Sequence, residues 1–252
     1  MEKISCVIIT LNEEKNIGRC LSSLTGIVDE IIVVDSLSTD ATEEICSGFN
    51  VRFIKQKFLG HIQQKNFAID LASNKYVLSL DADEALSEKL KESILKVKNK
   101  FTFDAYEMNR HSNYCGQWID HSGWYPDKKT RLINKEKGRF GGQNPHDKII
   151  LDETASLDHL KGDILHYTYY SIDEHYRQAD KFSTIAANEL FRKNKKTNLI
   201  HIWLKSSAKF LRNYVIKLGF LDGAAGFTIC RISAFETYQK YNKLRMLNKN
   251  AN

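Results

Sequence analysis

The chain has 252 residues, 11% of them aromatic and 27% charged, which is enough apolar surface for one large domain, with or without a small appendage, and too much for a disordered polymer. Five scattered cysteines, odd in number and never spaced Cys-x-x-Cys, argue against a disulfide framework and a structural zinc site; two prolines and no low-complexity tract leave no evident linker. The net charge of +6 hides an asymmetry: Arg192 to Asn252 carries 13 Lys and Arg against Asp222 and Glu236, a net of +11, while the preceding 191 residues sum to −5, so the tail calls for an anionic partner.

The chain enters a strand almost at once, and its Met1-Glu-Lys-Ile start carries no signal peptide, so a reducing cytosol is expected. Ser5 to Leu11 reads as a buried strand, followed by Asn12-Glu-Glu and a helical stretch ending near Leu24. Asp29 to Asp35 is a second strand. Asp40 and Glu43 have capping-box spacing for a helix over Ala41 to Ser47, and Val51 to Lys55 is a third strand. His61 to Ala72 is predicted helical, with an apolar stripe of Ile62, Phe67, Ile69 and Leu71, and a strand starts at Tyr76. Strands alternating with helices in this way imply an α/β fold with a parallel sheet and helices on both faces.

After Lys100 the alternation breaks. Asp104 to Ile119 and Lys129 to Asn134 read as strands, and Ser171-Ile-Asp-Glu174 is a capping box opening a long helix to about Asn194. The expected layout is a nucleotide-binding half over 1–100, a second half of the same domain over 101–170, and a helical basic extension over 171–252. In that extension Leu199, Ile202, Trp203, Phe210, Tyr214 and Leu218 fall at helical spacing, with an apolar face expected through Trp203, Phe210 and Tyr214. No apolar run there reaches the ~20 residues of a spanning helix. Helices lying in an anionic membrane interface fit the composition; so do helices packed on the body with solvated lysines.

The stretch Tyr76-Val-Leu-Ser-Leu-Asp-Ala-Asp-Glu84 ends a buried strand in three carboxylates. In an open α/β sheet the carboxyl ends of the strands face the ligand crevice, and crowded acids there need a positive partner. A divalent cation holding a diphosphate supplies one. The alternative is that Asp83 and Glu84 are a solvated turn into the helix that starts near Ser87.

Taken together, Val7-Ile-Ile-Thr-Leu-Asn-Glu-Glu14, Ile32-Val-Val-Asp-Ser-Leu-Ser-Thr-Asp-Ala-Thr42 and Leu80-Asp-Ala-Asp-Glu84 resemble, in order and spacing, the inverting glycosyltransferases of family 2 with the GT-A fold. Gly123-Trp-Tyr-Pro-Asp-Lys-Lys-Thr-Arg-Leu132, Asn144-Pro-His-Asp147, Lys217 to Phe227 and Lys240 to Leu244 resemble the bacterial subgroup that adds a hexose to the lipopolysaccharide inner core. The resemblance covers nearly the whole chain.

It implies a nucleotide-sugar donor, usually UDP-linked, and makes 101–170 the acceptor-binding half. Thr10, Leu11, Asn12 and Glu13 would meet the nucleotide, Asp35 the base N–H and Asp81 the ribose, while Asp83 would ligate Mg²⁺ or Mn²⁺ across the diphosphate. Arg131 would contact diphosphate or acceptor, or stand as a strand-edge arginine. An inverting transfer needs a base opposite the leaving group. Related enzymes usually place a glutamate after the histidine; here Asp147 follows His146. Asp147 is the implied base, and His146 is either the base itself, a group orienting Asp147, a phosphate ligand or a structural histidine. Leu37 and Ala41 stand where relatives usually have glycine. The Gln-x-x-Arg-Trp motif of processive synthases is absent, so a single addition is expected.

The implied partners are a lipid-linked oligosaccharide acceptor and the inner face of the cytoplasmic membrane. Transfer to a polyprenyl phosphate or another surface polysaccharide is a second reading, and a degenerate, membrane-docked binding protein a third. A nucleic-acid partner is not expected, because the basic tail matches no nucleic-acid module.

Overall fold

The structure is a computed structural model that describes residues 2–143 and 146–250, the side chains of Gln143 and His146 excepted. Its first elements are strand β1 (Ile4–Thr10), helix α1 (Ile17–Leu24), β2 (Glu30–Asp35), α2 (Thr42–Ser47), β3 (Arg52–Lys55), α3 (His61–Leu71) and β4 (Tyr76–Asp81). There follow β5 (Glu84–Leu86), α4 (Glu88–Lys98), β6 (Ala105–Tyr114), β7 (Gln117–Trp118), β8 (Asp127–Asn134), β9 (Gly138–Gln143), β10 (His146–Leu151) and β11 (Leu157–Tyr169). Helices α5 (Ile172–Arg192), α6 (Leu199–Leu211) and α7 (Gly223–Asn250) complete the chain, with a π-turn at Arg212–Ile216 and a 3-10 turn at Gly219–Asp222. Two compact units result: Met1–Arg110 with Asp127–Tyr167, and His111–Pro126 with Thr168–Asn252.

The main sheet runs β3-β2-β1-β4-β8-β6-β11-β5, with β7 added to β6, and β9 and β10 form a separate hairpin. Its first four strands are parallel, as expected, and β8 then pairs antiparallel with both β4 and β6. The parallel strands are apolar on both sides because helices cover both faces. Cys6, Ile8, Val33, Leu78 and Leu80 pack on Cys20, Leu21 and Leu24 of α1, while Val7, Ile32, Val34 and Val77 pack on Ala68 and Ile69 of α3.

Four local expectations change. The capping box at Asp40 does not form: α2 begins at Thr42, and Asp40 instead accepts bonds from Thr42 and from the backbone N–H of Glu14. The strand expected over Asp104 to Ile119 is a hairpin, since Cys115 (φ 50°) and Gly116 (φ 92°) adopt the left-handed conformation of a tight turn. The buried face of α3 contains Gln64, Lys65, Ala68 and Ile69, leaving Ile62, Phe67 and Leu71 half-buried. Finally β5, β9, β10 and β11 carry no apolar run or clean alternation and were not expected. The path of β11 depends on Gly162 (φ 101°), where a Cβ would collide with the backbone of Leu90.

In the second unit the Ser171 box does form, with the Ser171 hydroxyl accepting from the N–H of Glu174 at 3.2 Å and the Glu174 carboxylate accepting from the Ser171 N–H at 3.3 Å. Helices α5 and α6 both pack on α7, with ring pairs Tyr176–Phe235, Trp203–Tyr238 and His201–Tyr241 at 5.6, 5.7 and 4.9 Å. A Cβ at Gly226 would meet the carbonyl of Gly219, so the start of α7 lies directly on the 3-10 turn.

Candidate active site

The register of the parallel strands sets the site. Thr10 lies opposite Asp35, and Ile9 opposite Asp81, so the carboxyl ends of β1, β2 and β4 meet on one edge, where such sheets bind ligands. The Thr10 hydroxyl is buried there and has no hydrogen-bond partner among the described residues. Leu11 is exposed. Asn12 takes φ 55°, accepting the N–H of Thr39 on its side chain and donating its own N–H to the Ser38 hydroxyl, both at 2.8 Å. The N–H groups of Glu13 and Glu14 bond the Thr42 hydroxyl and Asp40 at 2.9 and 3.0 Å. Leu37, at the position where the resemblance would put glycine, sits at φ 68°, a left-handed conformation costing an L-residue roughly 1–2 kcal/mol. Asp35 is buried, and both of its oxygens are engaged by Ser38.

The protein's own cations separate the acids after β4. Asp81 is held by Lys65 at 2.9 Å on one oxygen and by Arg131 at 2.9 Å on the other. Burial alone would raise its carboxyl, but Lys65 and Arg131 keep it well below the usual carboxylate range. Glu84 is not part of a solvated turn: it is buried in β5, accepts the N–H of Asp81 at 2.9 Å and pairs with Arg131 at 2.9 Å. Arg131 reaches both because β8 runs antiparallel beside β4, Leu132 opposite Leu78. Its Nε is buried without a partner among the described residues. Burial pushes the Glu13 carboxyl up to about 7, against the bond from Asn16 and with help from the charges of Asp83, Asp40 and Asp81.

Lys65 also holds Asp147, its Nζ 3.0 Å from the Asp147 carboxylate and 5.0 Å from the centre of the Phe140 ring. One buried ammonium thus ties β10 to the end of β4. Asn144, Pro145 and the side chain of His146 lie outside what the structure describes. Of the expected site residues, Asp81, Arg131 and Asp147 form one ion-paired cluster, and Thr10, Asp35 and Glu13 border the same strand ends.

Asp83 stands apart from that cluster. Its carboxylate lies 3.1 Å from Nε2 of His166, and its carbonyl accepts the N–H of Tyr167 at 3.0 Å, both on β11. Among the described residues no group of three or more His, Cys, Asp or Glu is arranged to hold a metal ion. The Asp83 carboxylate nevertheless fits Mg²⁺ or Mn²⁺ in a site completed by phosphate oxygens, where the protein supplies only one or two ligands, with the His166 imidazole beside it.

Lys65 and His166 are the residues the sequence reading missed, whereas Glu84 was named among the three acids but given no partner. A polar Gln64-Lys65 pair one turn before Ala68 and Ile69 was a usable signal for Lys65, because a charged residue on a core-facing helix stripe needs a partner. Nothing local marks His166.

Residues 5–153 match the family described as "Glycosyl transferase family 2". An uncharacterized glycosyltransferase of Rickettsia prowazekii, RP128, is 33% identical over 98% of this chain and 88% of its own. The lipopolysaccharide core biosynthesis glycosyltransferase LpsC of Rhizobium meliloti is 27% identical over 94% of this chain and 93% of its own. A looser likeness, at 14% identity and a TM-score of 0.47, joins 99% of the chain to 92% of the S. aureus TarS chain crystallised with UDP. The family match over residues 5–153 and the 33% identity to RP128 make the chain a glycosyltransferase, a member of glycosyl transferase family 2.

Proposed function

We propose that the chain moves a hexose, with inversion, from a UDP-sugar to a hydroxyl of a lipid-linked lipopolysaccharide core, one sugar per encounter. UDP-glucose is the first donor to try. The observation that carries this reading is the paired-acid edge: Asp81, Asp83 and Asp147 border the carboxyl ends of the parallel strands, each beside a cationic or imidazole partner. The name of LpsC supports the acceptor class.

In this mechanism the unpartnered Thr10 hydroxyl and the Asn12–Glu13 turn receive the nucleotide, and Asp81 and Asp35 take its ribose and base. Lys65 and Arg131 bring positive charge to an edge where phosphates would sit. Asp147 accepts the proton of the acceptor hydroxyl as its oxygen bonds the anomeric carbon and the bond to the diphosphate breaks. His146 orients Asp147 or exchanges roles with it. Asp83 and His166 would hold Mg²⁺ or Mn²⁺, which when bound offsets charge on the departing diphosphate.

No helix among the described residues is long and apolar enough to cross a membrane. The net charge of +11 from Arg192 to Asn252 supports association with the inner face of the cytoplasmic membrane, where a lipid-linked acceptor would be met.

The test is donor hydrolysis against a panel of UDP- and GDP-sugars with Mn²⁺, then transfer to purified core oligosaccharide and to polyprenyl phosphate. Hydrolysis of one UDP-hexose and transfer only to the core oligosaccharide is the expected result. Transfer only to the lipid phosphate overturns the acceptor, and no hydrolysis of any sugar overturns the donor class.

A further inference from the structure

The helical unit carries two rows of large apolar side chains, and only one of them is covered. Phe210 and Tyr214 stack on each other at 5.2 Å and meet Phe227 edge-on at 5.9 and 5.8 Å, so they belong to the contact of α6 with α7. This corrects the expected lipid face through Trp203, Phe210 and Tyr214: two of its three members turn inward. Lys209 goes with them, half-buried.

The second row stays outside. Helix α6 runs directly into the π-turn, and along that rod Ile200, Leu204, Leu211 and Val215 recur at helical spacing, flanked by Trp203 and Ile216. Ile216 is 76% exposed, Ile200 72%, Leu204 65% and Trp203 62%. Leu211 and Val215 are exposed too, and so are Phe220 and Leu221 in the 3-10 turn that follows. Single exposed leucines are ordinary, but a row of this length on one element marks an interaction surface. Lys205, Arg212 and Lys217 are exposed on the same rod.

Charge selects the occupant. A second copy seated here would bring one segment of net +11 against another, whereas an anionic bilayer complements it. We propose that the row from Ile200 to Ile216 enters an anionic bilayer, with α6 lying in the interface plane, Lys205, Arg212 and Lys217 at the head groups, and Phe220 and Leu221 extending the contact. This rests on the membrane reading above and adds to it the inserting face and the need for apolar burial. Phe210 and Tyr214 stay packed on α7 when the protein is bound.

The experiment uses the full chain with vesicles of phosphatidylethanolamine and phosphatidylglycerol, and with neutral phosphatidylcholine vesicles. The wild type should sediment with the anionic vesicles, and the doubly substituted Leu204→Asp, Ile216→Asp protein should bind about tenfold or more weakly, with an unchanged thermal transition. Brominated lipids should quench part of the tryptophan fluorescence, and Trp203→Phe should remove that part. Failure of the wild type to bind either vesicle sinks the membrane reading itself. Binding that the double substitution leaves intact, or fluorescence quenched equally in Trp203→Phe, overturns the assigned face while sparing that reading. A wild-type dimer that the substitutions split, with vesicle binding unchanged, gives the face to a second copy and overturns the proposal.

Discussion

Two carboxylates, one in each unit, are satisfied in opposite ways. Asp81 is held by side-chain cations, Lys65 and Arg131. Asp222 is held by the N–H groups of Asp120 and His121 at 3.2 and 3.1 Å, the Ser122 hydroxyl at 3.0 Å and Nδ1 of His121 at 3.0 Å. A cation on a flexible stem can exchange one anion for another, so the partners of Asp81 can turn to a phosphate without the backbone moving. Backbone donors cannot leave Asp222 unless their loop unfolds. The first arrangement suits a site that changes ligands; the second anchors the Asp120–Ser122 turn to the 3-10 turn of the helical unit. The charge count of the tail treats Asp222 as one more surface acid, and the fold makes it the least replaceable one there.

The sharpest break of the comparison is at the site. Asp83→Ala should abolish transfer with its thermal transition intact, since it removes a metal ligand and its repulsion together. Full activity of that variant, or of the wild type in excess EDTA, would remove the metal from the mechanism. Asp147→Asn should lower turnover by roughly 10²–10⁴-fold and leave UDP binding nearly unchanged, the usual worth of a positioned base. If His146→Ala were the damaging change and Asp147→Asn nearly silent, the two roles would be exchanged.

Asp222→Ala should act on stability instead, costing about 3–5 kcal/mol in denaturant unfolding because it strands several buried donors. Asp222→Asn should recover part of that, and retained stability in the alanine variant would show that water replaces the carboxylate. Asp81→Asn is the matching test in the other unit: transfer should fall further than stability.

The smallest expected effects are in pH, and they have opposite signs in the two units. Burial lowers His175 from 6.5 to about 4, so the unfolded chain binds the extra proton and stability falls as pH drops from about 6.5 to 4. His175→Phe should flatten that limb. Glu13 is raised from 4.5 to about 7, so the folded chain holds the extra proton and stability falls as pH rises from about 4.5 to 7. Glu13→Gln should flatten this second limb, read from unfolding midpoints across the pH range in metal-free buffer.

Much of the fold was open to a local reading. A strand buried on both faces is a continuous apolar run that stops abruptly, which is why β1, β2 and β4 and the acids that end them could be found residue by residue. The Ser171 box was equally local, because both of its bonds close within four residues. The later strands were not, since β9 to β11 carry no pattern that a neighbour in sequence could explain.

What the sequence alone determined was therefore the chemistry of each strand end: which acids stand there, and through the ordered motifs, which family they belong to. Their partners were decided only by tertiary structure. Lys65 meets Asp147 across 82 positions, Arg131 meets Asp81 across 50, and His166 meets Asp83 across 83, and no local periodicity specifies the register that brings them together. The same holds for α6. Helical spacing offers two apolar rows of comparable size, and packing on α7 chose which one is buried and which remains for another surface.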